Sequence, residues 1–161
     1  MIFTTKAEYG VRLLVELGRV QLEEGAETPV SLKAIAEAEG LPLAYLERIV
    51  ALLRKAGIVE SVRGAHGGYR LTRDPRELGM HEVIVALEGP LAPMACFVDD
   101  RSEHRVLCSH EADRGHGCAT KLLWLRVQGG VMAALQQTTL ADLVAFPASL
   151  KQSEKLIPLH G

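Results

Sequence analysis

Apolar residues set the first outline of this chain. Tyr9, Leu13, Leu17 and Val20 recur at three- and four-residue spacing, which predicts a first helix to about Arg19. Thr5 and Glu8 stand at its start with the separation of a capping box, in which hydroxyl and carboxylate exchange bonds with free amides. Gly25 to Pro29 reads as a loop. Ser31 is placed to cap a short second helix, Leu32 to Glu39, whose apolar side is Leu32, Ile35 and Ala36. Gly40 is the left-handed stop and Pro42 the first residue of a third helix, which runs to Lys55 and buries Leu46, Ile49, Val50 and Leu53. Two short helices joined by a tight, Gly-containing turn are a helix-turn-helix signature.

The period then changes from helical to alternating. Ile58 to Val62 and Tyr69 to Leu71 read as strands on either side of Arg63-Gly-Ala-His-Gly-Gly68, a hairpin placed as a wing. Met80 to Leu87 predicts another helix. From Glu88 to Gly117 the periodicity disappears into Pro, Asp, Arg, His, Gly and Cys. A loop of that length in a compact domain is functional or disordered. Helical spacing returns from Ala119 to Gln137, with Leu123, Val127, Val131 and Ala134 or Leu135 in one stripe and Gly129 and Gly130 beside it. Thr139 and Asp142 cap a last short helix, and the tail beyond Pro147 is expected to be weakly ordered. The fold class is mainly α with a small β wing.

Composition narrows this picture. Of 161 residues 48% are hydrophobic but only 4% aromatic, so the core is built from Leu, Val, Ile and Ala. The length allows one compact domain, or a small domain with an attached helix that needs a partner chain. No run approaches the roughly 18 apolar residues of a membrane span. No apolar signal region follows the polar start Met1 to Lys6, so a cytoplasmic protein is expected. A net charge of -2 argues against a general nucleic-acid coat. Yet Pro42 to Arg73 carries six bases (Arg48, Arg54, Lys55, Arg63, Arg70, Arg73) against two acids, Glu47 and Glu60. Such a local stretch is either a discrete phosphate-binding surface or an ordinary solvated helix and hairpin.

With the apolar face of the third helix turned inward, Leu43, Ala44, Glu47, Arg48 and Ala51 face out. The small Ala44 and Ala51 permit close approach to a groove floor. Glu47 can accept from a cytosine amino group or stay solvated, and Arg48 can reach guanine or a phosphate. Arg63, beside Gly64, can enter a narrow minor groove. The wing glycines are equally explained by a tight turn that needs positive φ. Neither a phosphate-cradling glycine motif nor a nucleophile–base constellation is present, which argues against an enzyme.

Met1-Ile-Phe-Thr-Thr-Lys-Ala-Glu-Tyr9, Leu46-Glu-Arg-Ile49, Leu53-Arg-Lys-Ala-Gly-Ile58 and above all Ser61-Val-Arg-Gly-Ala-His-Gly-Gly-Tyr69 closely resemble the IscR/NsrR family of regulators, over residues 1 to 145. The resemblance implies a dimeric winged-helix repressor or activator whose long C-terminal dimerisation helix crosses to the partner. It implies a DNA-binding domain over 1–73, a connecting helix and sensor loop over 74–118, a dimerisation region over 119–145 and a weakly ordered tail over 146–161. DNA contact is implied for the wing, Arg63 with Gly64, and for the start of the third helix, Leu43, Ala44, Tyr45, Glu47 and Arg48. Family members with small hydroxyl residues at that helix start differ from this chain, which has Pro42 and Ala44. A two-fold dimer on double-stranded DNA calls for a pseudo-palindromic operator with half-sites roughly one helical turn apart.

Three cysteines are an odd number for a disulfide framework, and all three fall between Cys96 and Cys118. The resemblance implies that Cys96, Cys108 and Cys118 hold an iron–sulfur cluster, 2Fe–2S or 4Fe–4S, just before the dimer helix that Leu122-Leu-Trp124 begins. Soft thiolates are the usual cluster ligands. Their spacing here, Cys-x11-Cys-x9-Cys, is longer than in familiar members, and Lys121 stands where IscR-like chains place a His ligand. The fourth donor is then Glu8, from the partner's first helix, or one of His104, His110 and His116. Three alternatives stay open: zinc on Cys108-x-His110 and His116-x-Cys118, a metal-free thiol switch beside Arg105 and Arg114, and inert cysteines.

Overall fold

The structure, a computed structural model, describes residues 3–92 and 120–146. The predicted cysteine loop, with Cys96, Cys108, Cys118, His104, His110 and His116, and the tail beyond residue 146 lie outside the described residues. Five named helices and a two-stranded sheet follow one another as α1 (Thr5–Glu24), α2 (Leu32–Glu39), α3 (Leu43–Lys55), β1 (Val59–Val62), β2 (Gly68–Leu71), α4 (Met80–Glu88) and α5 (Lys121–Gln136). A further helical stretch covers 140–146.

The first helix is longer than its apolar spacing suggested, ending at Gly25 rather than near Arg19. Strong helix formers carry it on, and Arg19 bridges Glu16 and Glu23 on the exposed face. Its cap also differs. Thr4, not Thr5, is the N-cap, and its hydroxyl accepts from the Lys6 amide at 3.2 Å. Glu8 therefore takes no part in a capping box. Ser31 and Gly40 behave as expected: the Ser31 hydroxyl accepts from the Ala34 amide, and Gly40 closes α2 in the left-handed region at φ 64°.

One apolar core joins these elements. Leu13, Leu14 and Leu17 of α1 meet Ile35 of α2, Leu46, Ile49, Val50 and Leu53 of α3, Val59 and Leu71 of the hairpin, and Leu78, Val83, Leu87 and Leu140 further on. Arg12 ties α1 to the end of α2 through the Glu39 carboxylate at 2.7 Å and its carbonyl at 2.6 Å. The predicted cap of the last helical stretch forms: the Thr139 amide and hydroxyl both donate to the Asp142 carboxylate at 2.8 Å.

The stripe expected on α5 divides between two faces. Val131, Met132 and Leu135 pack on a small second cluster with Ala7, Ile84 and Leu91. Leu122, Leu123, Leu125 and Val127 are exposed, between 39% and 59%, and α5 buries no residue completely. Among the described residues no helix is long and apolar enough to cross a membrane.

Candidate nucleic-acid interface

The candidate surface draws on three places in the chain. The buried row Leu46, Ile49, Val50 and Leu53, each at most 2% exposed, fixes the rotation of α3. That rotation leaves Leu43, Ala44, Glu47, Arg48 and Ala51 exposed, the set the apolar spacing predicted. Tyr45 does not belong with them. It is half-buried and meets Tyr9 of α1 edge to face, with ring centroids 5.7 Å apart and planes at 90°. Such a pair favours one packing of its two helices.

The hairpin pairs Val59 with Leu71, Glu60 with Arg70, Ser61 with Tyr69 and Val62 with Gly68. Val30 adds a third edge, exchanging backbone bonds of 2.8 and 2.9 Å with Tyr69. This closeness corrects the expectation for the wing glycines. Gly64 alone of the wing glycines has positive φ, at 126°. Gly67 and Gly68 are glycines because a Cβ would stand 2.4 Å from the Val62 carbonyl oxygen and 2.3 Å from that of Val30. Backbone crowding selects them. The turn they permit leaves Arg63, Gly64 and His66 exposed at the tip.

The six bases counted in the sequence divide by partner. Arg70 bonds to Glu60 at 2.8 Å and to Glu27, and Arg73 pairs with Glu82. The hydrogen bond from Arg73 holds the Glu82 carboxyl below the usual carboxylate range, against the opposing effect of its partial burial. Arg48, Arg54, Lys55 and Arg63 are exposed, with no carboxylate partner among the described residues. Neutralised bases add little to phosphate attraction, and the bases of this stretch without a carboxylate partner among the described residues lie on α3 and at the wing tip.

Apolar spacing did not anticipate that α1 lies beside the start of α3 on this side. An open cleft of about 550 Å³ runs between Thr5 and Tyr9 of α1 and Pro42, Ala44, Tyr45 and Arg48 at the start of α3. Helical spacing showed Tyr9 only as an apolar position; its tertiary pairing with Tyr45 carries no local signal. Glu8, one residue away, is exposed, and its carboxylate has no hydrogen-bond or ion-pair partner among the described residues. The described residues contain no group of three or more His, Cys, Asp or Glu side chains able to hold a metal.

A helix-turn-helix with a two-stranded wing and an unpaired cationic edge defines a winged-helix DNA-binding regulator. The Rrf2 model, described as an iron-dependent transcriptional regulator, matches residues 3–146. The chain is 35% identical over 146 residues to the HTH-type transcriptional regulator CymR of Bacillus subtilis (strain 168), covering 91% of each chain. The solved structure of CymR, the global cysteine regulator of B. subtilis, superposes with a TM-score of 0.71 at 34% identity, covering 91% of this chain and 98% of that one. T. potens IscR superposes with a TM-score of 0.67 at 35% identity, covering 100% and 94%. The chain belongs to the Rrf2 family of transcriptional regulators. It is a DNA-binding regulator and not an enzyme.

Proposed function

We propose that this protein is a homodimeric, cytoplasmic, operator-specific regulator, acting as a repressor, whose DNA affinity is set by an iron–sulfur cluster. The observation that carries the reading is the exposed Glu8 carboxylate on α1, which has no ion-pair or hydrogen-bond partner among the described residues, in a chain whose three cysteines resemble a cluster set lacking its usual histidine. Three thiolates suit iron–sulfur chemistry and leave one position for a harder, exchangeable donor. Glu8 suits that position because neither a cap nor an ion pair among the described residues occupies it. Cys96, Cys108 and Cys118 would hold the cluster, with Glu8 of the partner or one of His104, His110 and His116 as fourth donor. When bound, the cluster supplies a redox- and nitric-oxide-sensitive centre. Dimerisation is supported by Leu122, Leu123, Leu125 and Val127 of α5, four large apolar side chains exposed in the first half of one helix.

On DNA, α3 enters the major groove with Ala44 and Ala51 against its floor, Glu47 and Arg48 toward base edges or phosphate, and Arg63 in the minor groove. Anaerobically purified protein is expected to absorb broadly near 400 nm, with stoichiometric iron and sulfide. Cys96→Ala, Cys108→Ala and Cys118→Ala should each remove the colour, and Glu8→Ala should make it labile. If all three cysteine variants stay coloured, the ligand assignment fails. A second reading is favoured by the similarity to CymR, the global cysteine regulator of B. subtilis: the same thiols act as a metal-free switch. Colourless, iron-free protein whose operator binding still responds to oxidation would establish that reading instead.

A further inference from the structure

The first turn of α1 is a junction between the DNA surface and the chain leading to the cysteines. On one side, Thr5 and Tyr9 line the cleft beside the start of α3. On the other, Glu88, the last residue of α4, takes both neighbours of Thr5. Its carboxylate accepts from the Thr4 hydroxyl through one oxygen and lies 3.9 Å from the Lys6 ammonium through the other. The Glu88 side chain is only 15% exposed, so water competes weakly for these contacts. Thr4 thus has two tasks, because the same hydroxyl that receives the Lys6 amide donates to Glu88.

The residues after Glu88 reinforce the hold. Gly89 ends α4, and Leu91 is buried with Ala7 of α1 and Ile84 of α4, with Val131 and Met132 of α5 packed against them. The Leu91 carbonyl accepts from the Gln128 side-chain amide of α5 at 2.8 Å. Further along α1, a Cβ on Gly10 would stand 2.4 Å from a Leu87 methyl and 3.4 Å from Ile49 of α3. Helix α1 is therefore gripped between α4 and α3. A displacement of the end of α4 is passed to α1, because packed contacts of this kind do not yield smoothly.

We infer that Glu88 is a positioning residue: through Thr4 and Lys6 it sets the first turn of α1 against the start of α3, and so couples the state of the cysteine-bearing segment to operator affinity. The inference rests on the reading that the cysteines regulate DNA binding. It is tested as a double-mutant cycle on full-length protein prepared anaerobically, with a duplex selected from a random pool by the wild-type protein, at one fixed salt. The four chains are wild type, Cys96→Ser/Cys108→Ser/Cys118→Ser, Glu88→Ala, and the combination.

Loss of the cysteines should change wild-type affinity about tenfold, and the same loss in the Glu88→Ala background less than about twofold. Glu88→Gln, which keeps an acceptor for Thr4, should restore part of the coupling. Thr4→Val with Lys6→Met, which leaves Glu88 in place, should abolish it, so the inference does not depend on the folding of one variant. A tenfold cysteine effect that persists undiminished without Glu88 or its partners overturns the inference and leaves cysteine regulation standing. Equal affinity of wild type and the triple cysteine variant overturns cysteine regulation, and the inference with it.

Discussion

Helices α3 and α5 have similar lengths and opposite surroundings. Helix α3 buries a complete row of four aliphatic residues inside its own chain and turns Ala44, Glu47, Arg48 and Ala51 outward, with Leu43 and Leu52 also exposed at 38% and 37%. Helix α5 leaves Leu122, Leu123, Leu125 and Val127 in solvent, and only its far half, from Val131 to Leu135, leans on the core. The amphipathic pattern of α3 is satisfied by one chain; that of α5 is half satisfied. Exposed Leu123, Val127, Gly130 and Ala134 lie on one side at helical spacing, where small residues allow a second helix to approach closely. The free surface of α3 is chemically suited to DNA, whereas that of α5 is suited to another copy of itself.

The strongest way to break this contrast is to charge the exposed face of α5. Leu123→Asp with Val127→Asp should convert dimer to monomer by light scattering and abolish operator binding, while helical circular dichroism stays close to wild type. A dimer that survives both changes would remove α5 as the interface. Next in size, Leu46→Ala or Leu53→Ala on the buried row of α3 should cost about 2–5 kcal/mol in denaturant unfolding. A cost below about 1 kcal/mol would mean that α3 is not held as described.

Smaller changes separate the free cations from the paired ones. Arg63→Ala and Arg48→Ala should each weaken operator binding by about 1–3 kcal/mol if they read bases, or flatten the salt dependence by about one unit if they contact phosphate. Arg70→Ala, already neutralised by Glu60 and Glu27, should alter that slope far less. Equal slopes for Arg48→Ala and Arg70→Ala would erase the distinction drawn from the ion pairs. The smallest effect concerns pH. Because Arg73 depresses the folded pKa of Glu82, the stability from this pair is present above the unfolded carboxylate value and fades as pH falls through the folded one. Glu82→Gln should therefore show a modest stability deficit at neutral pH that shrinks on acidification. The effect is small because both side chains are about a third exposed. A deficit that grows with acid would contradict the assignment.

What the sequence revealed follows the same contrast. The core face of α3, the Ser31 cap, the Gly40 stop and the Thr139–Asp142 cap depend on residues close together in the chain, and the pattern of side chains contains them. The Thr5–Glu8 box had the right residues at the right spacing. It lost to Thr4, whose hydroxyl also finds Glu88 from far along the chain. The pairing of Tyr9 with Tyr45 and the crowding of Gly68 by Val30 are likewise tertiary, so no local rule anticipates them. On α5 the period was read correctly but the stripe was assigned to a single face. Two sets of apolar residues, one meeting the chain's own core and one in solvent, overlap in the same helical repeat.

Selection of duplexes from a random pool by the full-length protein tests the central claim, a two-fold dimer reading DNA through α3 and the wing. The expected result is enrichment of a pseudo-palindrome whose half-sites lie about one helical turn, or a multiple of it, apart. Enrichment of a single asymmetric site, or none above the starting pool, would contradict it.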